Sequence, residues 1–356
     1  MVRVHSSRRT YGSGIVLTHN IYPLANIYFK GLIYLILTGI LFILVTALEG
    51  IISLLLSIAL LILVERKLLG SVQRRRGPNV VGMFGSLQPF ADGLKLMAKE
   101  FFIPTHANGF LFFVSPISTF FCTIVLWFIL PSSNVHSLID IPFSMLLFLS
   151  ISSLSVHGII IAGWSSNSKY AFLGSIRSAS QMISYELCIS SVYIAIILLR
   201  RSFSFIDAVL FQDGIWFVFP LSPFWILFLI SMLAETNRAP FDLPEAEAEL
   251  VAGYNVEYSA IAFAMFFSAE YGNMILMSII STLFLFGGWL PFVWLGFPTF
   301  LFFGFKVLFH LFVSISVRAS LPRYRYDQLM KLGWKSLLPF GFSLILLESS
   351  FLLYFF

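Results

Sequence analysis

Glu235, Asp242, Glu245, Glu247, Glu249 and Glu257 place six of the chain's 17 acidic residues within 23 positions, with long apolar runs on both sides. Crowded carboxylates repel one another, so some members of such a group take up a proton more readily and release it when a nearby charge changes. Part of the pattern has a local reading. Asp242 can cap a helix that starts near Pro244, with Glu245 completing a capping box, and acids suit the positive end of a helix dipole. That leaves Glu247, Glu249 and Glu257 unexplained. On a helix Asp242, Glu245 and Glu249 share one face while Glu247 points elsewhere. Further acids sit at or inside the apolar runs: Glu186, Glu235, Glu270 and Glu348. An acid at mid-bilayer costs roughly 3 kcal/mol, so Glu270, near the middle of its run, needs a polar path or a partner. Glu186 lies near a run's end, where an interfacial position also accounts for it, and Glu348 reads as a lipid-edge or subunit contact. The expectation is a proton-conducting polar line through a helix bundle.

The elements that must carry these acids follow from composition. The chain of 356 residues is 58% hydrophobic and 11% charged, with a mean hydropathy of +0.92; soluble proteins carry about 25% charged residues. Several runs exceed the ~18 apolar residues that mark a membrane span, and they lack the alternation of barrel strands. The predicted fold is an all-α integral membrane protein with about eight transmembrane helices, at 44–64, 110–130, 141–163, 180–199, 216–234, 259–286, 298–317 and 336–356. The loops 65–109, 164–179, 235–258 and 318–335 hold 7, 2, 1 and 5 Lys and Arg, whereas the intervening loops hold only Arg200 and Arg201. The positive-inside rule puts the first, long set of loops on the matrix or cytoplasmic side. Residues 44–356 then form one polytopic membrane domain.

Residues 1–43 read as an N-terminal extension. Positions 1–30 carry Arg3, Arg8, Arg9 and Lys30 and no acid, a pattern similar to an organellar transit segment. The apolar run 31–64 would reach about 51 Å as one helix, too long for one span and too short for two. A surface-lying or obliquely inserted segment ahead of the first span is expected. The two cysteines, Cys122 and Cys188, fall short of an iron–sulfur ligand set, and the six scattered histidines show no metal-ligand spacing. The chain is expected to hold no metal, flavin or iron–sulfur cluster.

After the first span come Glu65-Arg66-Lys67 and Gln73-Arg74-Arg75-Arg76-Gly77-Pro78-Asn79. Membrane anchoring and a Gly-Pro-Asn turn explain most such clusters. Leu87, Phe90, Leu94 and Met97 follow at helical spacing, which predicts an amphipathic helix against the membrane surface or a partner. Asp92, Lys95 and Lys99 share a second face.

Taken in order, Glu65-Arg-Lys, Arg76-Gly-Pro-Asn-Val-Val-Gly82, Leu87-Gln-Pro-Phe-Ala-Asp92, Gly163-Trp-Ser-Ser-Asn-Ser-Lys-Tyr170, Gln181-Met-Ile-Ser-Tyr-Glu186, Ala234-Glu-Thr-Asn-Arg-Ala-Pro-Phe-Asp-Leu243 and Pro322-Arg-Tyr-Arg-Tyr-Asp-Gln-Leu-Met330 resemble the signature blocks of the subunit 1 family of proton-pumping NADH:ubiquinone oxidoreductase (respiratory complex I), mitochondrial type. The likeness runs from about residue 44 to the end. It implies a multi-pass subunit of the mitochondrial inner membrane that forms much of the ubiquinone chamber. Partners would be the lipid bilayer, ubiquinone, and other membrane and peripheral-arm subunits, whose flavin and iron–sulfur clusters carry the electrons; no nucleic acid is implied. By the same resemblance Arg66 and Arg75 would line the chamber's mouth and tail-binding part. Asp92, Arg238, Asp242, Glu245, Glu247 and Glu249 would form its charged wall and acidic funnel. Tyr185, Glu186 and Glu235 would continue toward the membrane axis. Arg318, Arg323, Arg325 and Asp327 would meet neighbouring subunits or chamber walls, Arg318 being a chamber candidate. Glu257 and Glu270 join the proton-coupling candidates. Two rival readings are a self-contained proton-coupled secondary transporter, for which paired repeats would be the sign, and a quinone-independent hydrogenase-type membrane subunit.

Overall fold

The computed structural model describes residues 14–133, 141–242, 253–291 and 299–355, with side chains at 41 and from 44 to 354 within those ranges. Every element of regular structure among the described residues is helical. The chain divides into two compact units, Met1–Glu49 and Gly50–Phe356. The first contributes helical backbone from Gly14, the leading part of α1 (Gly14–Val72). The second holds the remainder of α1 and all later elements.

These are α2 (Gln88–Ala98), α3 (Gly109–Ile129), α4 (Ser144–Ser165), α5 (Lys169–Arg200), the short α6 (Phe205–Leu210), α7 (Ser222–Glu235), α8 (Ala260–Leu285), α9 (Thr299–Ser320), the short α10 (Tyr326–Lys331) and, after a π-helical stretch Leu332–Leu337, α11 (Leu338–Phe355). Among the described residues, seven helical stretches, the first being Leu44–Val72 and the last Tyr326–Tyr354, are long and apolar enough to cross a membrane. The eighth expected span is α7, only 14 residues long. Several boundaries move from expectation; helix α1, for one, runs on to Val72 where the first span was expected to end at 64. Helix α5 begins at Lys169 instead of 180, because Ser168 caps it through the Ala171 N–H (3.3 Å) and the polar residues that read as loop, Ser175 and Ser178, are buried. Helix α7 begins at Ser222 rather than 216, with Pro223 in its first turn, a position that tolerates the missing N–H.

Cross-links at each end of the bundle show which loops share a face. At one end, backbone bonds join Asn108 N–H to Ser165 O (2.9 Å) and Tyr324 N–H to Pro240 O (3.0 Å), and Phe102 N–H donates to Ser259 Oγ (3.2 Å). The four basic loops therefore meet, as their charge predicts. At the other end Met145 N–H bonds Phe203 O (3.0 Å) and Val218 N–H bonds Leu285 O (2.9 Å). Within the bundle α4 packs between α3 and α5, while α8 lies against α3, α7 and α9. Close approach depends on small residues, as is usual between membrane helices. A side chain at Gly158 would strike Thr119 of α3, and one at Gly174 would come within 2.8 Å of Gly253 Cα.

Candidate functional site: a buried acidic line and its arginine anchor

The site is built on the broken end of α7. At 1.5 Å per residue its 14 residues span about 21 Å, less than the ~30 Å hydrocarbon core. The chain leaves the helix at Glu235 and continues as irregular backbone, and Thr236, Asn237 and Arg238 are all buried. Non-helical backbone at such depth survives only inside protein, with its polar groups satisfied. Gln181 of α5 meets that need: its Nε2 donates to Ala234 O and to Phe241 O, each at 2.8 Å. Asn237 takes a left-handed conformation (φ 49°), which asparagine accepts more readily than most residues.

Glu235, 4% exposed, lines a small cavity together with Asn237, Tyr254, Glu270 and Asn273. The Tyr254 hydroxyl donates to Glu270 Oε1 at 2.7 Å. A second, smaller cavity shares Ser155, Glu235 and Asn273 with the first and adds Ser152, whose hydroxyl donates to Glu186 Oε1 at 3.1 Å. Glu235 thus lines both cavities, with Glu270 on the first and Glu186 behind Ser152 at the second, among residues of α3, α4, α5, α7 and α8. Glu235 Oε2 has no hydrogen-bond partner among the described residues.

Beside this line stands a buried ion cluster. Glu65 of α1, 3% exposed, accepts from Arg238 Nη1 at 2.9 Å and also from Arg318 Nη1 at the end of α9. The Arg238 guanidinium lies 4.1 Å over the Tyr271 ring. Burial works against the Arg238 charge, but Tyr271, Glu65 and Glu270 outweigh it and hold the guanidinium above its already high value. The cluster ties α1, the loop after α7, α8 and α9 at one point.

The remaining candidates distribute as follows. Arg66 and Asp92 pair at 2.6 Å on the basic-loop surface, where Gln88 Nε2 also donates to Asp92 (3.0 Å). Arg75 is exposed and donates to Gln73 Oε1 (2.7 Å), apart from the buried cluster. Tyr185 is fully buried against Phe241, and its hydroxyl donates to Leu329 O (3.1 Å). Glu257 is half-buried ahead of α8 and Asp242 is half-buried at the end of the described loop; neither lines the two cavities. Glu245, Glu247 and Glu249, with the expected capping box, lie outside the described residues. Arg325 faces Asp327 at 3.4 Å on an exposed surface. Sequence reasoning gave no role to Glu65, Tyr254, Asn273 or Ser152. Glu65 carried a usable signal: an acid at the end of an apolar run, beside two cations, is buried only if paired.

A bundle of membrane-length helices that holds acids and paired arginines in its interior defines a polytopic membrane protein whose core handles charge. The family described as NADH dehydrogenase matches residues 28–349, so the likeness reaches into the stretch before residue 44. The chain is 54% identical to the NADH-ubiquinone oxidoreductase chain 1 of Chondrus crispus over 311 residues, covering 86% of this chain and 95% of that one. The Arabidopsis thaliana protein of the same name is 54% identical over 309 residues, covering 86% and 95%. A bacterial NADH-quinone oxidoreductase subunit, from Paramagnetospirillum magneticum, is 52% identical over 305 residues, covering 85% and 89%. The chain belongs to this NADH dehydrogenase family.

Proposed function

We propose that this chain is a membrane subunit of proton-translocating NADH:ubiquinone oxidoreductase, respiratory complex I, in the mitochondrial inner membrane, where it forms part of the ubiquinone chamber and couples quinone reduction to proton translocation. The observation that carries this reading is the placing of Glu270, Glu235 and Glu186 at two cavities that share Ser155, Glu235 and Asn273, in a chain whose relatives bear the names of NADH-quinone oxidoreductase subunits. Electrons would reach quinone from iron–sulfur clusters on partner subunits, and the chain's own residues would bind quinone and manage charge. Apolar walls suit an isoprenoid tail, and a few placed polar groups suit its head. Arg66, Asp92 and Arg75 on the basic-loop surface, with Arg238 and Arg318 below, supply the polar side of such a chamber. Quinone reduction consumes protons. The negative charge left behind favours protonation of nearby carboxylates, and that change would pass from Glu270 by way of Glu235, which lines both cavities, toward Glu186. This is coupling between two sites in the thermodynamic sense. The exposed apolar residues Met83, Phe84, Leu94 and Met97 on the same face suit docking of a hydrophilic partner arm.

The test is Glu235→Gln in the intact complex. Assembly persists, and inhibitor-sensitive NADH:quinone turnover falls by about tenfold or more, roughly 1.4 kcal/mol on the barrier. Full turnover in a fully assembled variant removes Glu235 from the route. Recovery of the native chain as a free oligomer, outside any large assembly, ends the reading altogether.

A further inference from the structure

The second cavity has an aromatic floor. Phe148 of α4 lines the second cavity, and behind it Tyr193 of α5, Phe205 of α6 and Phe284 of α8 close into an aromatic block. Tyr193 meets Phe284 edge-on at 4.5 Å, Phe205 stacks on Phe284 at 5.4 Å, and Phe148 meets Phe205 edge-on at 6.1 Å. All four rings are at most 1% exposed. Tyr193 lies seven residues, about 10.5 Å, beyond Glu186 on the same helix face. Its hydroxyl is the block's one polar side-chain atom and has no hydrogen-bond partner among the described residues. A proton relay needs successive donors and acceptors, and aromatic carbon supplies none.

Two buried polar residues hold this block in place from the face opposite the basic loops. Gln212 is fully buried. Its Nε2 donates to Ala208 O (3.1 Å) and Leu283 O (2.9 Å), while its Oε1 accepts from Phe217 N–H (3.3 Å) and Gly287 N–H (2.9 Å). Lys306 of α9 donates from Nζ to Phe286 O (2.6 Å), Gly288 O (2.9 Å) and Leu290 O (2.9 Å) and lies over the Trp216 ring at 4.3 Å. A cation at the carbonyl end of α8 is favoured by the helix dipole and satisfies orphan acceptors. Ser144 Oγ accepts from Phe205 N–H (3.1 Å) and clips α6 to the start of α4.

We infer that Phe148, Tyr193, Phe205 and Phe284, bracketed by Gln212 and Lys306, form a proton seal that closes the acidic cavity toward the face opposite the basic loops. Charge taken up along Glu270, Glu235 and Glu186 then has no relay through this block, and the gradient built by the complex does not drain back through it. The inference rests on the proposed function, and its test is separable from it. Purified complex carrying Phe205→Ala and Phe284→Ala is reconstituted in liposomes with a trapped pH dye, and a potassium diffusion potential is imposed with no NADH or quinone present. Passive proton influx rises about tenfold over the native complex, whereas Phe205→Leu stays tight. Native-level influx in an assembled double variant overturns the seal. Should the double variant not assemble, Ser155→Cys in the otherwise native complex decides: a charged thiol reagent applied from the opposite face leaves it unlabelled, and labelling overturns the seal. Because influx is read without turnover, a tight double variant beside an inactive Glu235→Gln complex sinks the seal alone. A leaky one beside a fully active Glu235→Gln complex sinks the acidic route alone.

Discussion

Glu65 shows how much one side chain can organise. It is a carboxylate at the end of an apolar helix, buried, and shared by two guanidiniums from distant parts of the chain. Removing one partner of a buried pair strands the others, at a cost of about 3–5 kcal/mol. Glu65→Ala leaves Arg238 and Arg318 facing each other without the carboxylate they share. The expected outcome is a loss of thermal stability and of assembled complex, read as a lower melting temperature by differential scanning and a weaker high-mass band on a native gel. Glu65→Gln keeps the shape and loses the charge, so an effect as large as that of Ala assigns the role to electrostatics rather than packing. Equal stability of all three proteins contradicts the anchor role. Glu235 differs from Glu65 in kind, since it lines both interior cavities, whereas Glu65 is held between two guanidiniums.

At the scale of elements, the decisive feature is that α7 stops short. A helix of full membrane length would satisfy its own backbone and present a smooth wall. A helix of 14 residues delivers Glu235, Asn237 and Arg238 into the interior and leaves carbonyls that another helix must satisfy. Gln181 does so for Ala234 and Phe241. Gln181→Leu removes both donors, and each buried carbonyl left bare costs about 1–3 kcal/mol. The expected result is faster hydrogen–deuterium exchange across 234–242 in the assembled complex, with less change in α3 and α4; unaltered exchange in that loop shows that it is held by other means. Gln181 belongs to the part of α5 that reads as a span in sequence, but Ser175 and Ser178 belong to a part that reads as loop. The polar residues there mark contact with neighbouring protein rather than with water.

On the whole molecule, charge and apolarity are segregated. The basic loops gather at one end, and α9 and α11 turn large apolar side chains such as Phe300, Phe305, Leu308 and Leu346 outward, as lipid-facing helices do. The basic end also exposes apolar residues on α2, among them Leu94 at 67% and Met97 at 70%. An exposed patch of this kind on the loop face marks a contact surface. Leu94→Glu with Met97→Glu is therefore expected to weaken attachment of the hydrophilic arm, seen as a membrane-only subcomplex after mild detergent treatment. A fully assembled complex in equal yield would show that this face meets lipid or water instead.

The amino-acid sequence alone determined that the chain is a helical membrane bundle, where most helices lie, which loops share a face, and which family's motifs it carries. Those properties depend on local composition and on charge counted loop by loop. It also marked Glu186, Glu235 and Glu270 as acids in need of a polar setting. Only the tertiary structure decided that Glu235 lines two cavities with Glu270 at one and Glu186 behind the other, that Glu65 draws Arg238 and Arg318 together, and that aromatic residues near Arg200 and Leu285 pack on one another. Each of these joins residues tens to hundreds of positions apart, as Glu65 is from Arg318. Whether a buried charge is stranded or paired depends on which helices touch, and packing rather than spacing along the chain sets that.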